Sequence, residues 1–268
     1  MRRLAKVPDL LQRYSDIIDD QLTRGIIEKV PPDSTPSTKL HYIPHQPIFR
    51  DSKTTPIRIV FDCSCRSNSG SNSLNDCLES GPPLLNDITA MLMRFRLHRF
   101  GLVTDIEKAF LAICLDIDDR DVTRFLWPID PFEPSSPFQE YRFLRVLFGA
   151  TSSPFMLSST VIQHLRNSTS PVASKILRDI YVDNIITSCK TESECVEFYK
   201  ESRSVMSDGN FNLRGWSSNC ATVTDVASVD NVYDNSHDVN VLGLRWCPDT
   251  DYLSFAPKTN QTAQFDTR

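Results

Sequence analysis

The stretch Arg178-Asp179-Ile180-Tyr181-Val182-Asp183-Asn184-Ile185-Ile186-Thr187 constrains the fold more than any other part of the chain. Two apolar, β-forming runs are joined by Asp-Asn, a pair that suits the positive φ values of a tight hairpin. The pattern predicts two short strands with Asp183 at the tip. A carboxylate held there by two buried strands is a rigid ligand for a cation. Asp and Asn at a turn also serve the turn alone, so the segment by itself leaves both readings open.

A second acid of this kind ends the run Phe100-Gly101-Leu102-Val103-Thr104-Asp105-Ile106, after which Glu107 to Phe110 can turn into a short helix. At neighbouring strand ends, Asp105 and Asp183 can hold a pair of Mg2+ ions roughly 3.5–4 Å apart. That arrangement activates an attacking oxygen and stabilises a leaving one. Capping of two separate turns is the other reading the residues allow.

The rest of the chain supplies a scaffold of strands and helices. Leu10, Leu11, Tyr14, Ile17, Ile18 and Leu22 recur at helical spacing after Pro8 and Asp9, and Gly25 can close the helix. Ile26 to Val30 and Pro56 to Asp62 read as strands, the latter a hairpin partner for the extended segment Tyr42–Ile48. Leu84, Leu85, Ile88, Met91, Leu92 and Phe95 predict a buried helix ending in a basic cluster of Arg94, Arg96, His98 and Arg99, which faces a phosphate backbone or solvent. Phe125–Trp127 and Tyr141–Val146 predict a hairpin with a Pro-rich connection, and Ser153-Pro154 opens a helix through Leu165. Thr191 to Glu194 is a capping box for a helix closed by Gly209. Phe211–Trp216 and Val239–Trp246 read as strands. Strands alternating with helices, and acids on two strand ends, predict an α+β fold with a sheet packed on helices.

With 268 residues, 40% of them hydrophobic, the chain can bury the core of one large domain or two interlocked ones. Its N-terminus shows no secretory signal and no run is long enough to span a membrane, so an intracellular, cytoplasmic protein with no membrane partner is expected. The eight cysteines show no Cys-x-x-Cys and no Cys/His ligand spacing, which predicts reduced, mostly buried thiols. A net charge of −5 argues against a dedicated nucleic-acid-binding module, although local fields outweigh totals.

Taken in order, several segments resemble the reverse transcriptase of retroelements, most closely that of the BEL/Pao-type long-terminal-repeat retrotransposons. They are His41-Tyr42-Ile43-Pro44-His45, Arg58-Ile59-Val60-Phe61-Asp62, Leu74-Asn75-Asp76 with Gly81-Pro82, Asp105-Ile106-Glu107-Lys108-Ala109-Phe110, Phe125-Leu126-Trp127, Phe148-Gly149 with Ser153-Pro154, Tyr181-Val182-Asp183, Phe211-Asn212-Leu213-Arg214 with Trp216, and Leu242-Gly243-Leu244.

The resemblance implies a right-hand polymerase. Fingers would cover 1–97 and 117–142, palm 98–116 and 143–247, and the start of a truncated thumb or connection 248–268. It implies catalytic positions at Asp105, Asp183 and Asn184, with two Mg2+ ions, replaceable by Mn2+, on Asp105, Asp183 and the Ile106 carbonyl. Arg58 would clamp the incoming deoxynucleoside triphosphate, and Phe110 would crowd the sugar 2′ position. Phe148 and Gly149 would lie under the nascent base pair, and Leu242, Gly243 and Leu244 would form a primer grip. The implied partners are an RNA or DNA template with its primer, deoxynucleoside triphosphates, and the ribonuclease H, integrase and protease of a retroelement polyprotein. Two positions depart from the family pattern. Asn184 stands where a second hairpin carboxylate is usual, and Gly215 where a lysine commonly donates a proton to pyrophosphate. Both departures also fit a catalytically inactive remnant that folds and binds nucleic acid.

Overall fold

The computed structural model describes residues 7–31, 39–49 and 57–255. In chain order the elements are α1 (Pro8–Thr23), β1 (Ile27–Lys29), β2 (His45–Phe49), β3 (Ile57–Phe61), α2 (Leu74–Cys77), α3 (Ile88–Phe95), β4 (Phe100–Ile106), β5 (Phe125–Pro128) and β6 (Phe138–Phe143). There follow α4 (Ser153–Arg166), α5 (Pro171–Asp179), β7 (Ile180–Tyr181), β8 (Asn184–Cys189), α6 (Glu192–Asp208), β9 (Leu213–Ser218), α7 (Ala221–Val229), β10 (Val239–Val241), β11 (Leu244–Cys247) and β12 (Tyr252–Phe255). Contacts divide the chain into two compact units, Met1–Leu84 with Lys108–Val161 and Leu85–Glu107 with Ile162–Arg268.

The first unit packs α1 on small antiparallel sheets. Leu11, Tyr14 and Ile18 fall on one helical face and are buried, as their spacing requires. Tyr14 stacks on Trp127 at 4.8 Å, while Phe61, Phe125 and Phe143 meet edge-on or tilted at 4.8–5.7 Å. Such ring pairs add about 0.5–1.5 kcal/mol each beyond the area they bury. β2 and β3 form the expected hairpin, and β6 lies between β1 and β5. Behind them Arg124, only 4% exposed, bonds Asp121 and Glu140, and Arg142 bonds Asp121 and Glu28.

In the second unit an antiparallel sheet runs in the order β7-β8-β4-β9. β4 is central and almost wholly buried, which explains its unbroken apolar run. Helices α3, α5, α6 and α7 pack on this sheet. A separate meander, β10-β11-β12, buries Trp246 edge-on against Phe95 at 4.9 Å.

The structure corrects several expectations. α3 starts at Ile88, capped by the Asp87 carboxylate, and Leu84 and Leu85 lie outside it, exposed. The basic cluster at its end is largely consumed internally. Arg94 donates to Asp179 and to the Arg178 carbonyl, Arg96 grips Asp251 with both terminal nitrogens, and Arg99 lies over the Phe100 ring. α5 was not anticipated, although Ser170 caps it and Pro171 opens it, and Arg178 and Asp179 belong to that helix rather than to a strand. Val239 to Trp246 is two strands around a turn rather than the one strand its pattern predicts, a hairpin in keeping with the resemblance at Leu242 to Leu244, and α7 and β12 were unforeseen. Of the eight cysteines only Cys63, Cys189, Cys195 and Cys220 are fully buried.

Candidate active site

The two strand-end acids meet. β4 and β8 pair antiparallel with Asp105 directly across from Asn184, and the Ile106 amide donates to the Asp183 carbonyl at 2.8 Å. Asp105, Asp183 and Asn184 therefore share one edge of the sheet, while the Ile106 side chain points into the core. The two-residue turn between β7 and β8 is Val182-Asp183, not Asp183-Asn184, because Tyr181 pairs with Asn184. The left-handed residue is Val182, at φ 56°. A β-branched residue there carries strain of about 1–3 kcal/mol, which the flanking ladder must hold.

The electrostatics of this edge are unfavourable to the protein itself. Burial pushes the Asp105 carboxyl above the usual range, and the charges of Asp183 and then Asp234 push it further. Burial alone does the same to Asp183. Neither carboxylate forms a salt bridge among the described residues; Asp183 accepts one hydrogen bond, from Asn184 Nδ2 at 3.1 Å. Arg214, paired across from Asp105 in the ladder, is already engaged: its Nη1 donates to Glu107 Oε1 at 2.9 Å, and Asn212 Nδ2 holds the other oxygen at 2.9 Å. Hard oxygen donors left without a cation suit a divalent ion such as Mg2+, so the donor set fits the implied metals, with one charge fewer than two carboxylates at the turn would supply.

Gly215 has a local structural reason. It sits in a bulge of β9, where the register against β4 slips between Val103 and Asp105, and its φ is +61°. A Cβ at this position would fall 2.4 Å from Asp105 Oδ1. The missing side chain is what gives the Asp105 carboxylate its room.

The remaining expected residues lie elsewhere. In the first unit the Arg58 guanidinium lies 4.9 Å over the ring of Phe148, which Phe110 meets edge-on at 5.4 Å. Phe148 is 63% exposed even so. Gly149 follows at φ +109°, where a Cβ would press on the Phe61 carbonyl at 3.2 Å. Asn75 braces this segment, donating to the Gly149 carbonyl and accepting from the Thr151 amide. In the second unit Leu242 and Gly243, at φ 50° and 89°, form the two-residue turn between β10 and β11, and Leu244 begins β11. Sequence reasoning gave Asn75 and Glu107 no separate role within their motifs and missed Asp234 altogether.

No protein-family model matches the chain, and no curated protein does. Solved structures do. The foamy viral protease–reverse transcriptase in complex with double-stranded DNA is similar over 91% of this chain and 34% of its own, at 17% identity and a TM-score of 0.61. The same kind of protein in complex with an RNA/DNA hybrid is similar over 93% of this chain and 27% of its own, at 16% identity and a TM-score of 0.58. The fold is reverse-transcriptase-like. This chain spans 27–34% of the length of those two.

Proposed function

We propose that this chain is the fingers and palm of a retroelement reverse transcriptase, of the BEL/Pao type that its motifs resemble. The carrying observation is the register of Asp105 against Asn184, which sets two uncompensated acids side by side on a reverse-transcriptase-like fold. The fingers are assigned to 1–97 and 117–142, the palm to 98–116 and 143–247, and the thumb or connection begins at 248. The solved neighbours hold double-stranded DNA and an RNA/DNA hybrid, and a primer on an RNA or DNA template is the partner proposed here. Ribonuclease H, integrase and protease segments would act with it in the cytoplasm.

In this reading the primer 3′-hydroxyl gives up its proton to water, its oxygen attacks the α-phosphorus of a deoxynucleoside triphosphate, the bond to the bridging oxygen breaks, and pyrophosphate leaves. Asp105, Asp183 and the Ile106 carbonyl are the residues to hold two Mg2+ ions, or Mn2+ in their place. Bound there, such ions favour the primer alkoxide and offset charge on the leaving group. The chain's own residues do the positioning. Arg58, permanently charged, binds the triphosphate, and Phe148 presents a face that holds the guanidinium in place. Phe110 excludes a 2′-hydroxyl by filling its space. Gly149, pinned by Asn75, admits the nascent base pair close to the backbone, and Leu242 to Leu244 hold the primer. With glycine at 215, the proton for pyrophosphate comes from water rather than from a side chain at that position.

A second reading rests on Asn184, whose amide adds no charge beside Asp183. It is a remnant that binds primer–template without extending it. Primer extension with Mg2+ and with Mn2+ separates the two. The first reading expects product from the natural chain, more from Asn184→Asp, and a loss of roughly 10²-fold or more in Asp105→Asn. Silence that Asn184→Asp repairs supports the remnant. Extension that survives Asp105→Asn overturns the site.

A further inference from the structure

At the open end of the β10–β11 hairpin, away from its Leu242-Gly243 turn, three side chains of different chemistry converge. His237 precedes β10, Cys247 ends β11, and Asp249 stands in the turn that leads to β12. Their ligating atoms all lie within 4.8 Å of one another. His237 Nδ1 is 3.7 Å from Cys247 Sγ and 3.6 Å from Asp249 Oδ2.

We propose that His237, Cys247 and Asp249 form a binding site for Zn2+, with water as the fourth ligand. The first argument is metric. Around a tetrahedral zinc with bonds of about 2.0–2.3 Å, neighbouring ligand atoms stand roughly 3.3–3.6 Å apart. Both measured edges fall within about 0.2 Å of that range, whereas 3.6 Å is too long for an N–H···O hydrogen bond. The second argument is chemical. A thiolate, an imidazole and a carboxylate form a borderline-soft set that selects zinc over Mg2+, which prefers oxygen alone. The third is the register of the hairpin. Val239 pairs with Trp246, which sets His237, two residues before the pair, and Cys247, next to it on β11, at the same end of the ladder. His237 and Asp249 are largely exposed and Cys247 only partly so, so an ion can enter without opening the core. The bound ion would staple the loop before β10 to the turn after β11. The site shares no ligand with the acid pair, so its fate is independent of the polymerase reading.

The test is titration of the reduced chain with Co2+, a spectroscopic substitute, followed by displacement with Zn2+. One equivalent of Co2+ is expected to produce a thiolate-to-cobalt charge-transfer band that Zn2+ bleaches. Cys247→Ser should abolish the band, and His237→Asn should weaken binding at least tenfold. Since His237 is exposed, that variant leaves the fold intact, as an unchanged thermal melt would show. Replacing the exposed Cys65, Cys77 and Cys114 with serine should leave the band untouched. No band in the natural chain, a band that survives Cys247→Ser, unweakened binding in His237→Asn, or a band lost on replacing the three exposed cysteines would each overturn the assignment.

Discussion

Two aspartates at opposite ends of β7 received opposite treatment from the same fold. Asp179, 1% exposed, closes α5; Arg94 Nε reaches one of its oxygens at 2.7 Å and Thr187 Oγ1 the other at 2.7 Å. Asp183, on the turn two residues after β7, is half-buried and has no such partner, only the Asn184 amide. Where a buried charge serves packing, the chain supplies its complement. Where it does not, a complement from outside the chain would relieve the cost, and that contrast is what supports the proposal of Asp105 and Asp183 as ligands.

The largest expected effect falls on the satisfied acid. Arg94→Ala leaves the buried Asp179 with only the Thr187 hydroxyl and the more distant Arg178 Nε at 3.6 Å, and should destabilise the chain by about 3–5 kcal/mol, read from urea unfolding. A loss below about 1 kcal/mol would mean that this acid, too, tolerates lacking its complement, and the contrast would fail. Next comes Gly215→Ala. The added Cβ meets the Asp105 carboxylate in a left-handed backbone, so a cost of about 1–3 kcal/mol is expected, and if the crowding is steric Gly215→Ala should cost the same measured in the Asp105→Asn background as in the natural chain.

Asp105→Asn by itself should act in the opposite direction, stabilising the chain in chelator-treated buffer by on the order of 1 kcal/mol at neutral pH. Its sign with pH follows from linkage. Both acids are pushed up on folding, so the folded chain binds protons more tightly than the unfolded one. The penalty is fully present above the raised values and is relieved as pH falls through them toward the ordinary carboxylate range. The gap in Tm between the variant and the natural chain should therefore narrow on acidification, and a gap that widens would contradict the assignment. The smallest effect is that of Asn184→Asp, which adds a charge to the same edge and should lower chelated stability by a few tenths of a kcal/mol to about 1 kcal/mol.

Much of this fold could be read from the chain because the strands that build it are buried. β4 and β8 announce themselves as apolar runs, and the acids at their ends follow from where those runs stop. The residue at the turn was misread because Asp-Asn is the better turn former locally, while the β7–β8 ladder puts Val182 in the left-handed position regardless of its preference. The basic cluster at Arg94 and Arg96 was misread for another reason: its acidic partners, Asp179 and Asp251, lie 85 and 155 positions away, where no local pattern reaches. Gly215 looked like a lost lysine and carries steric meaning only once β9 is laid against β4. Asp234 is invisible as a member of the site until Asp105's surroundings are assembled.

The proposal that the acid pair binds a cation is tested most directly by the Mg2+ dependence of Tm in the natural chain and in Asp105→Asn. An ion that binds the folded chain alone raises its melting temperature with concentration. The account predicts a Mg2+-dependent rise for the natural chain and little or none for Asp105→Asn. The same rise in both would show that the acids at the ends of β4 and β7 are not where the ion binds.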